Sequence, residues 1–117
     1  MAYNKSLADR IREALIEHPK VEEKEMFKCI TFMVDGKMCI SVSGGELMCR
    51  IDPDLTDELL EKYSGETRQM IHGGKAMKGY LYVSEEGYKT KKQFEFWLRL
   101  CLDYNPQAKA SKKPKKK

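Results

Sequence analysis

Residues 29–51 read CITFMVDGKMCISVSGGELMCRI, and two short turns within this stretch decide the fold. The first turn is Asp35-Gly36, a pair that tolerates the left-handed geometry of a type I′ hairpin. The second is Gly44-Gly45, a two-residue loop of the same kind. Because apolar and β-branched residues flank both turns, the sequence predicts three antiparallel strands over residues 21–51.

The strand register follows if both turns are tight two-residue loops, because each loop length fixes which residues face each other. This register places Phe32 opposite Cys39 and Ile40 opposite Cys49. One face then collects an apolar set suited to a core: Cys29, Met33, Met38, Ile40, Val42, Leu47, Cys49 and Ile51. The other face is mixed: Ile30, Phe32, Val34, Lys37, Cys39, Ser41, Glu46, Met48 and Arg50. We expect Ile30, Phe32 and Met48 to form an exposed apolar patch there that contacts a partner.

Helical periodicity appears on both sides of these strands. A first helix begins near a cap at Ser6 and ends before Pro19, and a second lies between Asp52-Pro53 and Gly65. Two further strands follow, Thr67–His72 and residues 79–84, before a last helix that begins with the capping box formed by Thr90 and Gln93. The predicted fold class is α+β, in the order α-β-β-β-α-β-β-α, with an antiparallel sheet and helices packed against it.

The composition fits one folded domain with a charged extension. The chain has 117 residues, of which 41% are hydrophobic and 34% charged, so a single core is expected. We place the domain at residues 1–105 and a disordered lysine-rich tail at residues 106–117. Without the tail, 16 basic residues face 18 acidic ones, so the net charge of +4 comes from the tail lysines: Lys109, Lys112, Lys113, Lys115, Lys116 and Lys117. These lysines are the predicted nucleic-acid contact, a non-specific one.

The sequence gives no pattern of a membrane protein or of a secreted protein. No apolar run reaches the roughly 18 residues that a bilayer requires, and the first residues lack the apolar segment of a secretory signal. Four isolated cysteines are typical of a reducing compartment, where they act as small hydrophobic residues. We therefore expect a cytoplasmic protein that does not bind membranes.

No motif in the sequence has the spacing of a known catalytic or metal site. The two histidines lie far apart, and no pair of cysteines has the spacing of zinc ligands. Nucleophile and base residues do not occur in a recognisable context. The sequence therefore predicts no catalytic residue, no metal and no cofactor, and we expect a protein that is not an enzyme.

Two segments together resemble the N-terminal domain of the TfoX/Sxy family. The first comprises Met26-Phe27, then residues 32–38 (FMVDGKM), then residues 47–51 (LMCRI). The second is residues 74–83 (GKAMKGYLYV), similar to the family's Gly-x-Pro-Met-Lys-Gly-Tyr-x-Tyr-Val stretch. The likeness runs from the first residues to about Tyr104. Ala76 stands where the family usually has proline, and only the lysine tail follows where the competence regulator that names the family has a second domain.

The resemblance implies a fold and a link to the transcriptional regulation of DNA uptake in bacteria. The fold it implies also resembles secretion-chaperone-type binding domains. Our first hypothesis is a regulatory or adaptor domain, monomeric or homodimeric, that binds a protein partner, with Met77 and Lys78 of the second motif at the contact surface. Two alternatives remain open. One is a nucleic-acid-binding accessory protein that acts through its tail, and the other is a small-molecule-binding domain with a pocket near Lys78 and His72.

Overall fold

Within residues 3–26 and 28–108, the part of the chain that the computed structural model describes, six strands form one antiparallel sheet with helices packed against it. The helices are α1 (Lys5–Ala14), α2 (Thr56–Lys62), α3 (Glu85–Tyr88) and α4 (Lys91–Tyr104). The strands are β1 (Val21–Met26), β2 (Cys29–Val34), β3 (Lys37–Ser43), β4 (Glu46–Arg50), β5 (Thr67–His72) and β6 (Lys75–Val83). Their order across the sheet is β1-β2-β3-β4-β6-β5, which confirms the predicted α+β class.

Two elements were not predicted, the edge strand β1 and the one-turn helix α3. Strand β1 pairs with β2 from Val21 opposite Val34 to Met26 opposite Cys29. Its sequence, VEEKEM, is exposed and largely charged, so it lacks the apolar alternation by which a strand is recognised. Charged residues on an edge strand also oppose pairing with another chain.

The first hairpin has the predicted turn but not the predicted register. Asp35 and Gly36 have φ angles of 55° and 80°, so both adopt the left-handed geometry of a type I′ turn. The pairing of β2 with β3 shifts between Phe32 and Met33, and Phe32 lies opposite Ile40 instead of Cys39. Cys39 is the extra residue of a β-bulge. Because side chains alternate between faces, this one-residue shift moves the apolar side chains of β2 to the other face.

The bulge turns Ile30 and Phe32 into core residues. Their side chains are 2% and 0% exposed, and they share one apolar cluster with α1 and α4. The expectation that Ile30 and Phe32 form an exposed patch is therefore wrong, as is the assignment of Cys29, Met33 and Met38 to the core face. The five remaining members of the predicted core are fully buried: Ile40, Val42, Leu47, Cys49 and Ile51.

Helix α4 crosses this core and follows its sequence signals closely. Thr90 and Gln93 form the predicted capping box, in which each side chain bonds to the backbone N–H of the other residue. Trp97 on its buried side is 1% exposed and donates from Nε1 to the carbonyl oxygen of Gly87 at 3.1 Å. At the other end of the fold, Asn4 and not Ser6 caps α1 by accepting the N–H of Leu7.

The chain is described for three residues past residue 105, the predicted end of the domain. Residues Asn105–Gln107 form a 3₁₀ turn, and Ala108 is 7% exposed. The Asn105 amide donates to the carbonyl oxygen of Val34, and Lys37 Nζ donates to the carbonyl oxygen of Asn105 at 3.0 Å. These bonds hold the end of the described chain against the β2–β3 hairpin. Phe27 and the six tail lysines lie outside the described residues.

Candidate functional site

The four helices contact the same face of the sheet. The Arg12 guanidinium of α1 lies 5.9 Å from the Phe32 ring centroid and forms an ion pair with Glu23 of β1, so α1 covers the face that carries these residues. Tyr63, which follows α2, packs edge-on against Trp97 of α4 at 5.3 Å. Tyr88 of α3 and the buried side of α4 belong to the same core cluster. Among the described elements, none packs on the opposite side of the sheet, which we call the open face.

A row of paired residues crosses the open face from one edge strand to the other. The strand register places its members opposite one another in this order: Lys24, Thr31, Ser41, Met48, Tyr82 and Arg68. At the centre, the Ser41 hydroxyl donates to Thr31 Oγ1 at 2.8 Å, and both residues are buried between their neighbours. The middle of the open face is therefore small and polar, and the larger side chains lie toward β4, β6 and β5.

Arginine and tyrosine side chains are paired on that half of the open face. The Arg68 guanidinium lies 4.2 Å from the ring centroid of Tyr82, and that of Arg50 lies 5.7 Å from the ring centroid of Tyr80. Both tyrosines are half-buried. Arg68 also forms an ion pair with Glu46 at 2.5 Å, while 61% of its side chain remains exposed. These contacts place two aromatic rings and two cations on adjacent strands, accessible to solvent.

A second surface candidate lies on the helix layer, around Phe96 of α4. Phe96 is 38% exposed, and its ring contacts Tyr63 and Trp97 at centroid distances of 5.6 and 5.0 Å. One groove, of about 280 Å³, lies between these three rings and Lys92, and a second, of about 590 Å³, follows the other side of Phe96 along α4. We call Tyr63, Phe96 and Leu102, together with the buried Trp97 and Leu98, the aromatic patch.

The residues predicted to contact a partner do not come together at one place. Met48 is half-buried on the open face. Met77 is half-buried at the far end of the β5–β6 hairpin, opposite Met70. Lys78 is exposed and forms an ion pair with Asp57 of α2 at 2.8 Å. Of the predicted set, Met48 alone belongs to the open face described above.

Three cysteines are buried in the core, and burial suppresses the acidity of two of them. Cys39 and Cys101 are 1% and 0% exposed, and burial raises the pKa of both thiols. A hydrogen bond with Cys49 raises the pKa of Cys101 further. All four cysteines of the chain are free thiols. Since the thiolate is the nucleophilic form, the Cys39 and Cys101 thiols are poorly suited to nucleophilic catalysis.

We expect the protein to lose stability as the pH rises above about 9, the ordinary pKa of these thiols. Because the pKa of these thiols is raised in the native state, the unfolded chain loses their protons at a lower pH than the native chain does. The stabilisation that the protonated thiols provide is therefore complete below pH 9 and is lost as the pH rises above it. Urea denaturation under reducing conditions at pH 7.5 and pH 10 measures the change. The Cys101→Ala variant is the control, and its stability is expected to fall less steeply between the two pH values. An equal fall in both proteins contradicts the assignment to Cys101.

Residues 3–26 and 28–108 contain neither a cluster of metal ligands nor a helix that could span a membrane. In this part of the chain, no group of three or more His, Cys, Asp or Glu side chains is placed to hold a metal ion. Nor does any described helix combine the length and the apolar character needed to cross a membrane.

Most residues of the open face and of the aromatic patch were not predicted from the sequence to be surface sites. Tyr80, Tyr82 and Arg68 become neighbours of Met48 through the pairing of β6 with β4 and β5, and β4 and β6 are far apart in the sequence. Phe96 lies outside the apolar stripe of α4. That position alone was the available signal, because an aromatic residue off the buried stripe must be exposed at least in part.

The fold and its faces define a class: an α+β domain whose six-stranded antiparallel sheet is covered by helices on one side. The chain belongs to the family described as the TfoX N-terminal domain, whose model matches residues 13–104. It is thus a domain like that of the competence regulator. This match confirms the resemblance read from the sequence.

A solved structure shares the fold. The crystal structure of a Deinococcus radiodurans protein with a DUF419 domain superposes with a TM-score of 0.65 and 18% sequence identity, covering 87% of this chain and 81% of that one. At this identity the likeness concerns the fold alone. A comparison with curated proteins found no significant match.

Proposed function

We propose that this protein is a non-enzymatic regulatory adaptor that acts in the cytoplasm, is linked to transcription, and binds a protein partner through the aromatic patch. Membership of the TfoX N-terminal domain family supports a regulatory role. The exposed ring of Phe96 is the observation that carries the assignment of the contact surface. The buried, protonated thiols of Cys39 and Cys101 agree with a role in binding rather than in catalysis.

The aromatic patch has the composition and the rigidity of a binding hot spot. Phe96 is held between Tyr63 and Trp97, and Trp97 is fixed by its hydrogen bond to Gly87. Because these contacts restrict the rings before binding, little side-chain entropy is lost when a partner covers them. Aromatic side chains at the centre of an interface commonly provide much of its binding energy.

The partner that fits this surface best is an amphipathic helix. The grooves on either side of Phe96 follow α4, and such grooves accept apolar side chains that repeat at helical spacing. Glu95, Arg99 and Asp103 border the longer groove with charges of alternating sign at intervals of four residues. A helix with the complementary charge order forms ion pairs on both sides of its apolar stripe.

Replacement of Phe96 by alanine is expected to abolish partner binding while the domain stays folded. Phe96 is partly exposed, so the stability cost is expected to be about 1 kcal/mol, whereas truncation of a central aromatic residue typically costs 2 kcal/mol or more in binding. The measurement is photo-cross-linking in cells, with a photoreactive amino acid at Arg99 beside the patch. The expected result is a discrete protein adduct that disappears when Phe96→Ala is added.

The matched control places the same photoreactive amino acid at Asp54, which is exposed and belongs to neither surface. An adduct of the same size from both positions, or one that survives Phe96→Ala, contradicts the proposed contact surface. Thermal unfolding of each variant verifies that the loss of the adduct does not arise from a loss of the fold.

A further inference from the structure

The open face carries a feature that the adaptor role does not use: two tyrosines two residues apart on one strand, with an arginine beside each. Tyr80 and Tyr82 lie on β6 on the same side of the sheet, about 7 Å apart along the strand. Arg50 of β4 is paired with Tyr80, and Arg68 of β5 is paired with Tyr82. The rings and guanidinium groups form one continuous surface over three strands.

We propose that the open face binds single-stranded nucleic acid, with successive bases against Tyr80 and Tyr82 and with phosphates bound by Arg50 and Arg68. Sheets bind single strands in this way because every base has a flat apolar face that stacks on an aromatic ring or on a guanidinium group. A duplex does not fit the same chemistry, since its bases are stacked on one another and hidden from the sheet.

The charge distribution favours a polyanion at this face. The body of the protein carries two more acidic than basic residues, yet this half of the open face presents Arg50 and Arg68. Glu46 is paired with Arg68, and so neutralises part of this charge in the free protein. Exposed ion pairs contribute only about 0–1 kcal/mol to stability. A phosphate therefore replaces Glu46 at Arg68 at a low cost in free energy.

A protein ligand fits the open face less well. Protein interfaces of ordinary size have an apolar centre, whereas Ser41 and Thr31 occupy the centre here and bond to each other. The aromatic and cationic side chains lie to one side, along β4, β6 and β5. This asymmetric strip suits a narrow, flexible polyanion.

The test is fluorescence anisotropy with the full chain at two salt concentrations and four probes: a 20-nucleotide oligo-dT, a 20-nucleotide oligo-U, a 20-base-pair duplex and labelled poly-glutamate. Both single strands are expected to bind more tightly than the duplex. The Tyr82→Leu variant removes the ring but keeps apolar volume, and is expected to weaken single-strand binding about tenfold. Tyr82→Phe keeps the ring and is expected to bind as the parent protein does. The two single strands distinguish DNA from RNA as the source of the ligand.

Variants that remove a positive or a negative charge test the phosphate contacts, and the two kinds of variant are expected to change binding in opposite directions. Arg68→Ala is expected to weaken single-strand binding about fivefold or more, while the matched change Arg99→Ala on the helix layer leaves it nearly unchanged. Glu46→Gln releases Arg68 and is expected to strengthen binding about threefold. The control Glu61→Gln, at an exposed position of α2, changes the net charge equally and is expected to leave binding unchanged.

Several results overturn the proposal. Duplex binding as tight as single-strand binding does so, as does binding that depends on the tail lysines but is the same in Tyr82→Leu and Arg68→Ala. Binding of poly-glutamate alone indicates an acidic protein ligand instead. Failure of both single strands to bind at low salt also overturns it and leaves the adaptor role untouched, since that role depends on Phe96.

Discussion

The Phe32→Ala variant is expected to unfold with a free energy about 3–5 kcal/mol lower than that of the parent protein. Phe32 is 0% exposed and lies opposite Ile40 within the core cluster, so its loss removes apolar burial and leaves a cavity. A domain of this size is stable by only about 5–15 kcal/mol, and the variant therefore loses a large fraction of its stability. The effect depends on the β-bulge at Cys39, because a regular hairpin places Phe32 on the opposite side.

Urea denaturation measures this loss in the free energy of unfolding as a shift of the transition midpoint at a constant slope. Met48→Ala is the matched control, a truncation of a half-buried side chain on the open face, and is expected to cost about 1 kcal/mol or less. If Phe32→Ala costs no more than Met48→Ala, Phe32 lies on the same face as Met48, as the register without the bulge places it, and the bulge is wrong.

The second large effect is expected for Gly79→Ala, at about 2–3 kcal/mol of stability. Gly79 has a φ of +91°, which side chains rarely tolerate. A β-carbon there would lie 3.2 Å from the carbonyl oxygen of Ile51 and 3.3 Å from Pro53 Cγ. The backbone has no freedom to move away, because Gly79 N–H donates to Thr56 Oγ1 and its carbonyl oxygen accepts from Ile51, each at 2.8 Å.

Thermal or urea unfolding of Gly79→Ala measures the cost. Gly45→Ala serves as the control, since a β-carbon at Gly45 meets no atom within 4 Å and its φ does not lie in the left-handed region. The control is expected to remain within about 0.5 kcal/mol of the parent protein. Equal stabilities for the two variants would show that Gly79 in the family motif has no structural role.

Local sequence signals predicted the elements whose geometry depends on near neighbours. The capping box of α4 needs only Thr90 and Gln93, and the first hairpin needs only Asp35 and Gly36. Strand β5 was also predicted with its correct bounds, because turn residues border it on both sides. These features are decided within a few residues, so a single sequence contains the information.

Features that depend on distant contacts were not predicted. Strand β1 is charged and exposed, so its own residues do not indicate a strand. It is a strand because it pairs with β2. The bulge at Cys39 shifts the register by one residue without any glycine to mark it. That single residue exchanged the expected faces of Phe32 and Met33 and placed two residues of the expected surface patch, Ile30 and Phe32, in the core.

The candidate sites were predictable to a smaller extent than the fold. Met48 was placed correctly on a face away from the core, but its neighbours Tyr82 and Arg68 belong to strands that join it only in the assembled sheet. Phe96 and Tyr63 come from different helical segments and meet through tertiary packing. Surfaces assembled from distant segments in this way leave no local pattern in the sequence.

The proposed binding of single-stranded nucleic acid places the ligand on the face of the sheet opposite the helices. Titration of the ¹⁵N-labelled full chain with a 20-nucleotide oligo-dT, followed by NMR, tests it most directly because each backbone amide reports its own position. The largest shift changes are expected at Met48, Arg50, Arg68, Tyr80 and Tyr82. Changes confined to residues 109–117, or centred on Phe96, contradict it.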